Sequence, residues 1–451
     1  MDMDFANKNI VFLGIGGISM SALARLCKNF KANVFGTDIQ ESANTLSLKK
    51  DKIAKIKIGN SPSFIRLADI VVYTNAIPKN NLDLILAKKL NKPLFERATL
   101  LGIISCKYKN VIAVSGTHGK TTTTALLGWI FNKNKAPSTT HIGGISNNFN
   151  SNININGFKY FITEACEYKK SFLHLNPNTT IINNIELDHP DCFKNLNDVN
   201  TAFIQLSKQT KDLLILNGDS LNLSTFKHKN TLTFGLNTKN TIYANNIKTL
   251  KASTTFDVVY KNEFLGKVKT SLLGKHNIYN ILGAMLTALN YNINFNVIQS
   301  AINSFNGTKR RLERLNTSPS IYLDYAHHPS EIKATISSLK ANVKGKLIAV
   351  FQPHTYSRTL ALIKEFSTCF FGVSNLYILP TYPAREKEIL GGRAIDLFYS
   401  INNVDVQYVS NPQSLVYLLS NINKEDTILF LGAGSIDNIA KSYVKTIIKS
   451  K

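Results

Sequence analysis

An apolar run, Val111-Ile112-Ala113-Val114, passes into Gly116-Thr117-His118-Gly119-Lys120-Thr121-Thr122-Thr123 and then into a helical pattern carrying Leu126, Leu127, Trp129 and Ile130. A strand, a glycine turn and a helix N-terminus in that order belong to a parallel α/β layer, with the turn at the sheet's carboxyl edge. The glycines let backbone N–H groups converge on one point and the helix end adds partial positive charge, which makes the turn a cradle for phosphate. Lys120 can reach the terminal phosphates of ATP, and the Thr121 hydroxyl can ligate Mg²⁺. The commonest spacing, GxxxxGK[ST], wants a glycine at Val114; here the first glycine is Gly116.

The rest of the chain repeats the α/β alternation. Asn9 to Leu13 reads as a strand ending in Gly14-Ile15-Gly16-Gly17, followed by a helix with Met20, Leu23, Ala24 and Leu26. Further strands are predicted over Asn33–Gly36, ending at Asp38, and over Ile70–Tyr73. After the phosphate loop come Tyr160–Thr163, Thr180–Asn184 and Leu213–Leu216, then a β-rich stretch over 230–273 and a helix from about His276 to Leu289. Ile321–Leu323, Leu347–Phe351, Leu376–Leu379 and Thr427–Leu431, separated by helices, give another doubly wound pattern. The Asn-rich tract Asn147–Asn156 is expected to be a loop.

At 451 residues the chain is long for one core, so two or three domains are expected. No apolar run approaches a membrane span, and the acidic start Met1-Asp2-Met3-Asp4 leads into a strand without a secretory pattern. The five cysteines, Cys27, Cys106, Cys166, Cys192 and Cys369, form no CxxC pair, which suits free thiols in a cytoplasmic protein. The net charge of +24 comes from scattered lysines without interleaved aromatics, so solvated faces rank first, anionic small substrates second and nucleic acid last.

Several polar groups stand at predicted strand ends. Glu164 reads either as a metal ligand beside the γ-phosphate or as a helix-capping acid. Asn183-Asn184-Ile185-Glu186-Leu187-Asp188-His189 is dense in ligands, and His189 is a metal ligand, a proton handler or neither. Lys309-Arg310-Arg311 is an anion clamp or a solvated linker. Asp324-Tyr325-Ala326-His327-His328 and Gln352-Pro353-His354-Thr355-Tyr356-Ser357-Arg358 suggest a second substrate site, with ordinary strand-end polarity as the alternative. Gly14-x-Gly16-Gly17 with Asp38 partly matches a dinucleotide fingerprint, but Ser19 replaces the third glycine.

Together these motifs resemble the Mur ligase family, and within it the alanine-adding branch. The resemblance covers essentially the whole chain through GIGGISMSALARL (14–26), GTHGKTTTTA (116–125), TEACEYKKSFL (163–173), NIELDHPD (184–191), GKHNIYN (274–280), GTKRRLE (307–313), DYAHHPSE (324–331), FQPHTYSRT (351–359) and PAREK (383–387). It implies three α/β domains: a Rossmann-like UDP-sugar domain over 1–107, a P-loop ATPase-type domain over 108–310 and a Rossmann-like amino-acid domain over 311–451. The implied reaction joins L-alanine to the lactyl carboxylate of UDP-N-acetylmuramate through an acyl phosphate, with ATP as the phosphoryl donor. Mg²⁺, or Mn²⁺ in its place, would sit on Thr121 and Glu164, with His189 at a second metal position. Gly116, Thr117, His118, Gly119, Lys120, Thr121 and Thr122 would cradle the phosphates. His276, Asn277 and Asn280 would help form the nucleotide pocket, and Arg310 would touch phosphate from across the domain boundary. Gly14, Gly16, Gly17 and Asp38 would face the UDP part, assisted by Arg97. Asp324, Tyr325, His327, His328 and Arg358 would hold alanine and the developing charge.

Two departures accompany the resemblance. Some branches carry an arginine where Thr355 stands, so Arg358 or another cation must hold the alanine carboxylate. Near Phe203-Ile204 no lysine is present, so no carbamylated lysine is expected. A monomer or weak homodimer without membrane insertion or nucleic acid completes the expectation. The rival readings are a related ligase with another amino acid or a peptide substrate, a P-loop switch or transport ATPase, and an NAD-dependent oxidoreductase.

Overall fold

Ile10, Val11, Phe12 and Leu13 are all buried, as expected for a strand covered by helices on both faces. A computed structural model, describing residues 3–449 except 251–252, 316, 341 and 421, places this strand at the centre of a five-stranded parallel sheet. Met1 and Asp2 of the acidic start lie outside the described residues. The spatial order is Lys55–Ile58, Asn33–Asp38, Asn9–Leu13, Ile70–Tyr73, Leu94–Glu96. The order reverses at Asn9–Leu13, and the glycine loop 14–17 opens there, where doubly wound sheets bind ligands.

The second sheet has ten strands. Its centre is Asn110–Ser115, flanked by Thr179–Ile182 and Tyr160–Glu164 in parallel register, with Val114 opposite Ile181 and Glu164. Leu213–Asn217 and Thr231–Gly235 extend one side in parallel. Beyond them Ile242–Leu250, Ser253–Tyr260 and Glu263–Thr270 make an antiparallel meander. The β-rich reading of 230–273 therefore holds. On the other side, Ser138–Ser146 pairs with Ser151–Asn156 as an edge hairpin.

That hairpin corrects the loop expected at Asn147–Asn156. Only 147–150 form the turn; Ser151–Asn156 is a strand. Ile153 is buried in the core shared with the first sheet, and Asn152 Nδ2 donates to Ile18 O and to Ser21 Oγ, the latter at 2.9 Å. The asparagines here satisfy neighbouring polar groups across a packed seam, a role that composition alone does not reveal.

The third sheet runs Glu313–Arg314, Ser320–Asp324, Thr427–Leu431, Leu347–Phe351, Asn375–Ile378, Asp405–Tyr408. All pairs except the short first one are parallel. The cores distinguish the two boundaries. Phe12 and Leu26 of the first unit share one apolar cluster with Phe161 and Phe203 of the second. The clusters of the third unit take in only Leu273 from the second. The third unit is thus apposed through polar contacts, the kind of interface across which domains move.

Candidate active site

The strand Asn110–Ser115 delivers the phosphate loop, and the helix Lys120–Lys133 begins directly after it. Gly116 has φ 131° and Gly119 φ 81°, backbone that side chains rarely adopt, and a Cβ on Gly119 would strike Asn280 Oδ1. The loop is fastened to the segment after Thr179–Ile182. Thr117 N donates to Asn184 O at 3.1 Å, His118 N to Asn184 Oδ1 at 2.8 Å and Glu186 N to Thr117 Oγ1 at 2.8 Å. Lys120 Nζ curls over the loop, donating to Gly116 O, to Thr117 O at 3.0 Å and to Glu167 Oε2 at 2.9 Å. Burial disfavours its charge, but Glu167 more than restores it and the pKa is raised. Glu164 ends its strand and accepts from Gly143 N at 2.6 Å, with the Thr121 hydroxyl beside it. Burial raises the pKa of its carboxyl. A hydroxyl–carboxylate pair beside a phosphate cradle is an oxygen donor set suited to a hard divalent cation.

Beside the loop opens a cleft of about 890 Å³ lined by Gly119, Thr122, Asn183, His276, Asn277 and Asn280, among others. The asparagines are ordered by Asn277 Nδ2 donating to Leu273 O at 2.7 Å and Asn280 Nδ2 to Asn277 Oδ1 at 3.1 Å. Asn183 Oδ1 is buried without a hydrogen-bond partner among the described residues. Burial pushes the His276 imidazole down to about 4, against the pull of Glu331, so it is a neutral wall. Of the two adjacent arginines it is Arg311 that lines this cleft. Arg310, expected on phosphate, donates to the carbonyls of Gly432 at 2.8 Å and Gly434 at 3.0 Å. The two guanidiniums lie 4.8 and 5.0 Å from the Tyr325 ring centroid. Adjacent residues diverge here because Arg310 and Leu312 both have positive φ, which no sequence pattern announces. Asp324, expected to hold substrate, lines this cleft, and its oxygens accept from Leu312 N at 2.6 Å and Ala326 N at 2.7 Å. Burial raises it to about 6.

His118 joins the loop to the third unit. Its Nδ1 lies 3.0 Å from Glu331 Oε1, its Nε2 3.3 Å from Glu186 Oε2 and 3.1 Å from Ser330 Oγ. The His328 ring stands 5.1 Å away, with Nε2 buried and unpartnered among the described residues. Burial alone would lower the His118 pKa, but Glu331 and Glu186 raise it to about 10. A base with a raised folded pKa stabilises fully below its unfolded value of 6.5 and loses that contribution as pH rises through about 10. The thermal midpoint is therefore expected to fall between pH 7 and 10, and more steeply than in His118→Gln. Parallel slopes would dismiss the latch.

A further cleft gathers Tyr168, His189, His354, Thr355, Ser357 and Arg358. His189 stands here, 3.7 Å from Asp188 and 4.8 Å from the Tyr168 ring. Arg358 Nε donates to Asp188 Oδ1 at 2.9 Å, joining the third unit to the second through a buried pair. His327 Nδ1 lies 2.9 Å from Tyr325 O, and its ring meets those of Tyr325 and His354 edge-on. Burial and then Arg358 push His327 down to about 3.

A third cleft, about 1700 Å³, belongs to the first unit and is lined by Gly14, Gly16, Gly17, Asp38 and Arg97, among others. Asp38 Oδ2 accepts from Gly16 N at 2.8 Å and holds the glycine turn. Ser19, which breaks the dinucleotide fingerprint, accepts from Arg97 Nη1 at 3.3 Å and lies 3.0 Å from His141 Nε2. His141 Nδ1 is 2.9 Å from Thr163 Oγ1, next to Glu164. Burial and Arg97 push His141 down to about 3. Sequence reasoning gave His141 and Glu331 no role, and named Asp188 and Arg311 only within the ligand-dense segment and the basic cluster. Glu331 and Arg311 lay within noticed motifs, whereas His141 carries no local signal.

Three family models cover the chain: the Mur ligase family catalytic domain over 9–109, the Mur ligase middle domain over 114–288 and the Mur ligase glutamate ligase domain over 310–434. A UDP-N-acetylmuramate–L-alanine ligase of Clostridium botulinum is 40% identical, across 98% of this chain and all of the relative. One from Caldicellulosiruptor bescii is 38% identical, across 97% and 99%. The crystal structure of the UDP-N-acetylmuramate-alanine ligase of Thermotoga maritima superposes with a TM-score of 0.85 at 24% identity, covering 99% of this chain and 100% of that one. A murein peptide ligase of Psychrobacter arcticus gives 0.71 at 22%, covering 97% and 98%. At those identities the structures speak to the fold.

Proposed function

The chain belongs to the Mur ligase family, and from that premise we propose that it joins L-alanine to the lactyl carboxylate of UDP-N-acetylmuramate, driven by ATP. One observation carries the reading. The chain matches alanine-adding ligases end to end, and a cleft opens directly on its phosphate loop at His118, Gly119 and Thr122.

A carboxylate and an amine do not condense unaided in water. A lactyl oxygen attacks the γ-phosphorus of ATP, the bond to ADP breaks, and an acyl phosphate forms. The alanine amine then adds to the acyl carbon, loses a proton, and inorganic phosphate departs from the tetrahedral intermediate. In-line transfer asks mainly for positioning and charge neutralisation. Lys120 supplies charge at the cradle. Thr121 and Glu164 would hold Mg²⁺, or Mn²⁺ in its place, with His189 at a second position; the metal would neutralise phosphate charge. Gly14, Gly16, Gly17, Asp38 and Arg97 bind the UDP-sugar, and the neutral His327 sits beside the amine. The substrates are small molecules, and we place the chain in the cytoplasm; among the described residues no helix is long and apolar enough to cross a membrane.

The test is phosphate release with ATP, UDP-N-acetylmuramate and each amino acid in turn. Release is expected only with the sugar nucleotide present, and fastest with L-alanine. Hydrolysis indifferent to the sugar nucleotide would favour a switch or transport ATPase. Equal turnover with glycine, serine and alanine would remove the named specificity.

A further inference from the structure

We propose that Arg385 receives the carboxylate of the incoming amino acid, and so selects an α-amino acid over an uncharged amine; this inference rests on the ligase reading above. Arg358 and Arg385 are the two arginines that line the His189/His354 cleft. Arg358 is engaged: Nε donates to Asp188 Oδ1 at 2.9 Å and Nη1 to His354 O at 3.2 Å, and its side chain is 5% exposed. Two carboxylates lining the same cleft are also engaged. Asp191 Oδ2 accepts from the Tyr168 hydroxyl at 2.9 Å, and Glu386 accepts from Ser357 N at 2.8 Å and Ser357 Oγ at 2.5 Å.

Arg385 is different. It is exposed, its Nη1 donates to Asn75 O of the first unit at 3.3 Å, and no ion pair holds it among the described residues. It lines the cleft of the first unit as well as the His/Arg cleft. It therefore stands where a sugar-borne acyl group and an amino acid would meet.

Its place is built. Segment 382–386 is bound to 353–357: Tyr382 N donates to Pro353 O at 2.8 Å, and Thr355 N to Tyr382 O at 3.0 Å. The His354 and Tyr382 rings stack at 5.7 Å. Thr355 has φ 67°, an outlying conformation for a β-branched residue, and these contacts hold it. The amino acid must turn its amine toward the acyl carbon and its carboxylate away from the phosphate loop. A guanidinium at the junction of the two clefts gives that carboxylate a bidentate partner with its charge uncancelled.

The test compares wild type, Arg385→Gln, Arg385→Lys and the neighbouring control Lys387→Gln, using L-alanine and L-alaninamide as nucleophiles. Arg385→Gln is expected to raise KM for L-alanine about 10- to 100-fold, the loss of one charge-assisted contact. KM for ATP and for UDP-N-acetylmuramate should stay within about twofold. Wild type should prefer alanine to alaninamide by a similar factor, and Arg385→Gln should bring that ratio near one. Arg385→Lys should recover part of the preference, and Lys387→Gln should match wild type. An unchanged alanine/alaninamide ratio, or a rise confined to KM for UDP-N-acetylmuramate, overturns the assignment. Absence of alanine-dependent phosphate release in wild type would instead overturn the ligase reading.

Discussion

Lys120→Met is expected to lower ligase turnover by about a thousandfold, the upper end of what one preorganised charge contributes at a developing anion. Lys120 Nζ is held over the loop by two carbonyls and Glu167, so its charge is in place before any phosphate arrives. Loss of activity alone would not prove this. Glu167 has a side chain 3% exposed, and removing its partner leaves a buried carboxylate unpaired, which costs about 3–5 kcal/mol. Lys120→Met/Glu167→Gln removes both charges and isolates the catalytic part. The double variant should regain most of the thermal midpoint and none of the turnover. Turnover within tenfold of wild type in either variant would refute the assigned phosphate site.

The same residue shows what the sequence could reveal. Gly116 to Thr121 sit between a buried strand and a helix, and each carries a local constraint, so fold and chemistry are both legible there. The partner of Lys120 was not, because Glu167 lies in an irregular segment between the strand ending at Glu164 and the 3₁₀ helix starting at Tyr168, where no periodicity fixes its direction. Site residues that act across unit boundaries were hardest to see. Asp188 and Glu331 stood in plain motifs, but their partners Arg358 and His118 lie 170 and 213 positions away, and no periodicity encodes such pairs. Ser19 looked like a defect in a glycine fingerprint and is a contact to His141 in another unit. The resemblance singled out Arg310 for phosphate, yet with positive φ at Arg310 and Leu312 it is Arg311 that lines the cleft.

Arg358→Met is expected to open the molecule rather than unfold it. Asp188 is 6% exposed and would be left without its counter-charge, a cost of about 3–5 kcal/mol if it stayed buried. The third unit shares only Leu273 of its apolar clusters with the second, so swinging away to rehydrate Asp188 sacrifices little apolar burial. At about 1.4 kcal/mol per tenfold, closure would weaken by about 10² to several times 10³. Turnover should fall by a similar factor while the melting midpoint barely moves. Small-angle scattering should show a larger radius of gyration, and proteolysis across 307–315 should quicken. The pH dependence separates this pair from the His118 latch. Burial opposes ionisation of Asp188, but Arg358 and then His189 hold its carboxyl well below the ordinary 3.8. A depressed carboxylate stabilises fully above its unfolded pKa and loses that contribution only as pH falls toward its folded one. Closure through Arg358 should thus survive at pH 10, where the His118 contribution has largely gone. A melting midpoint that collapsed in Arg358→Met, with scattering unchanged, would make the pair a fold determinant and not a closure contact.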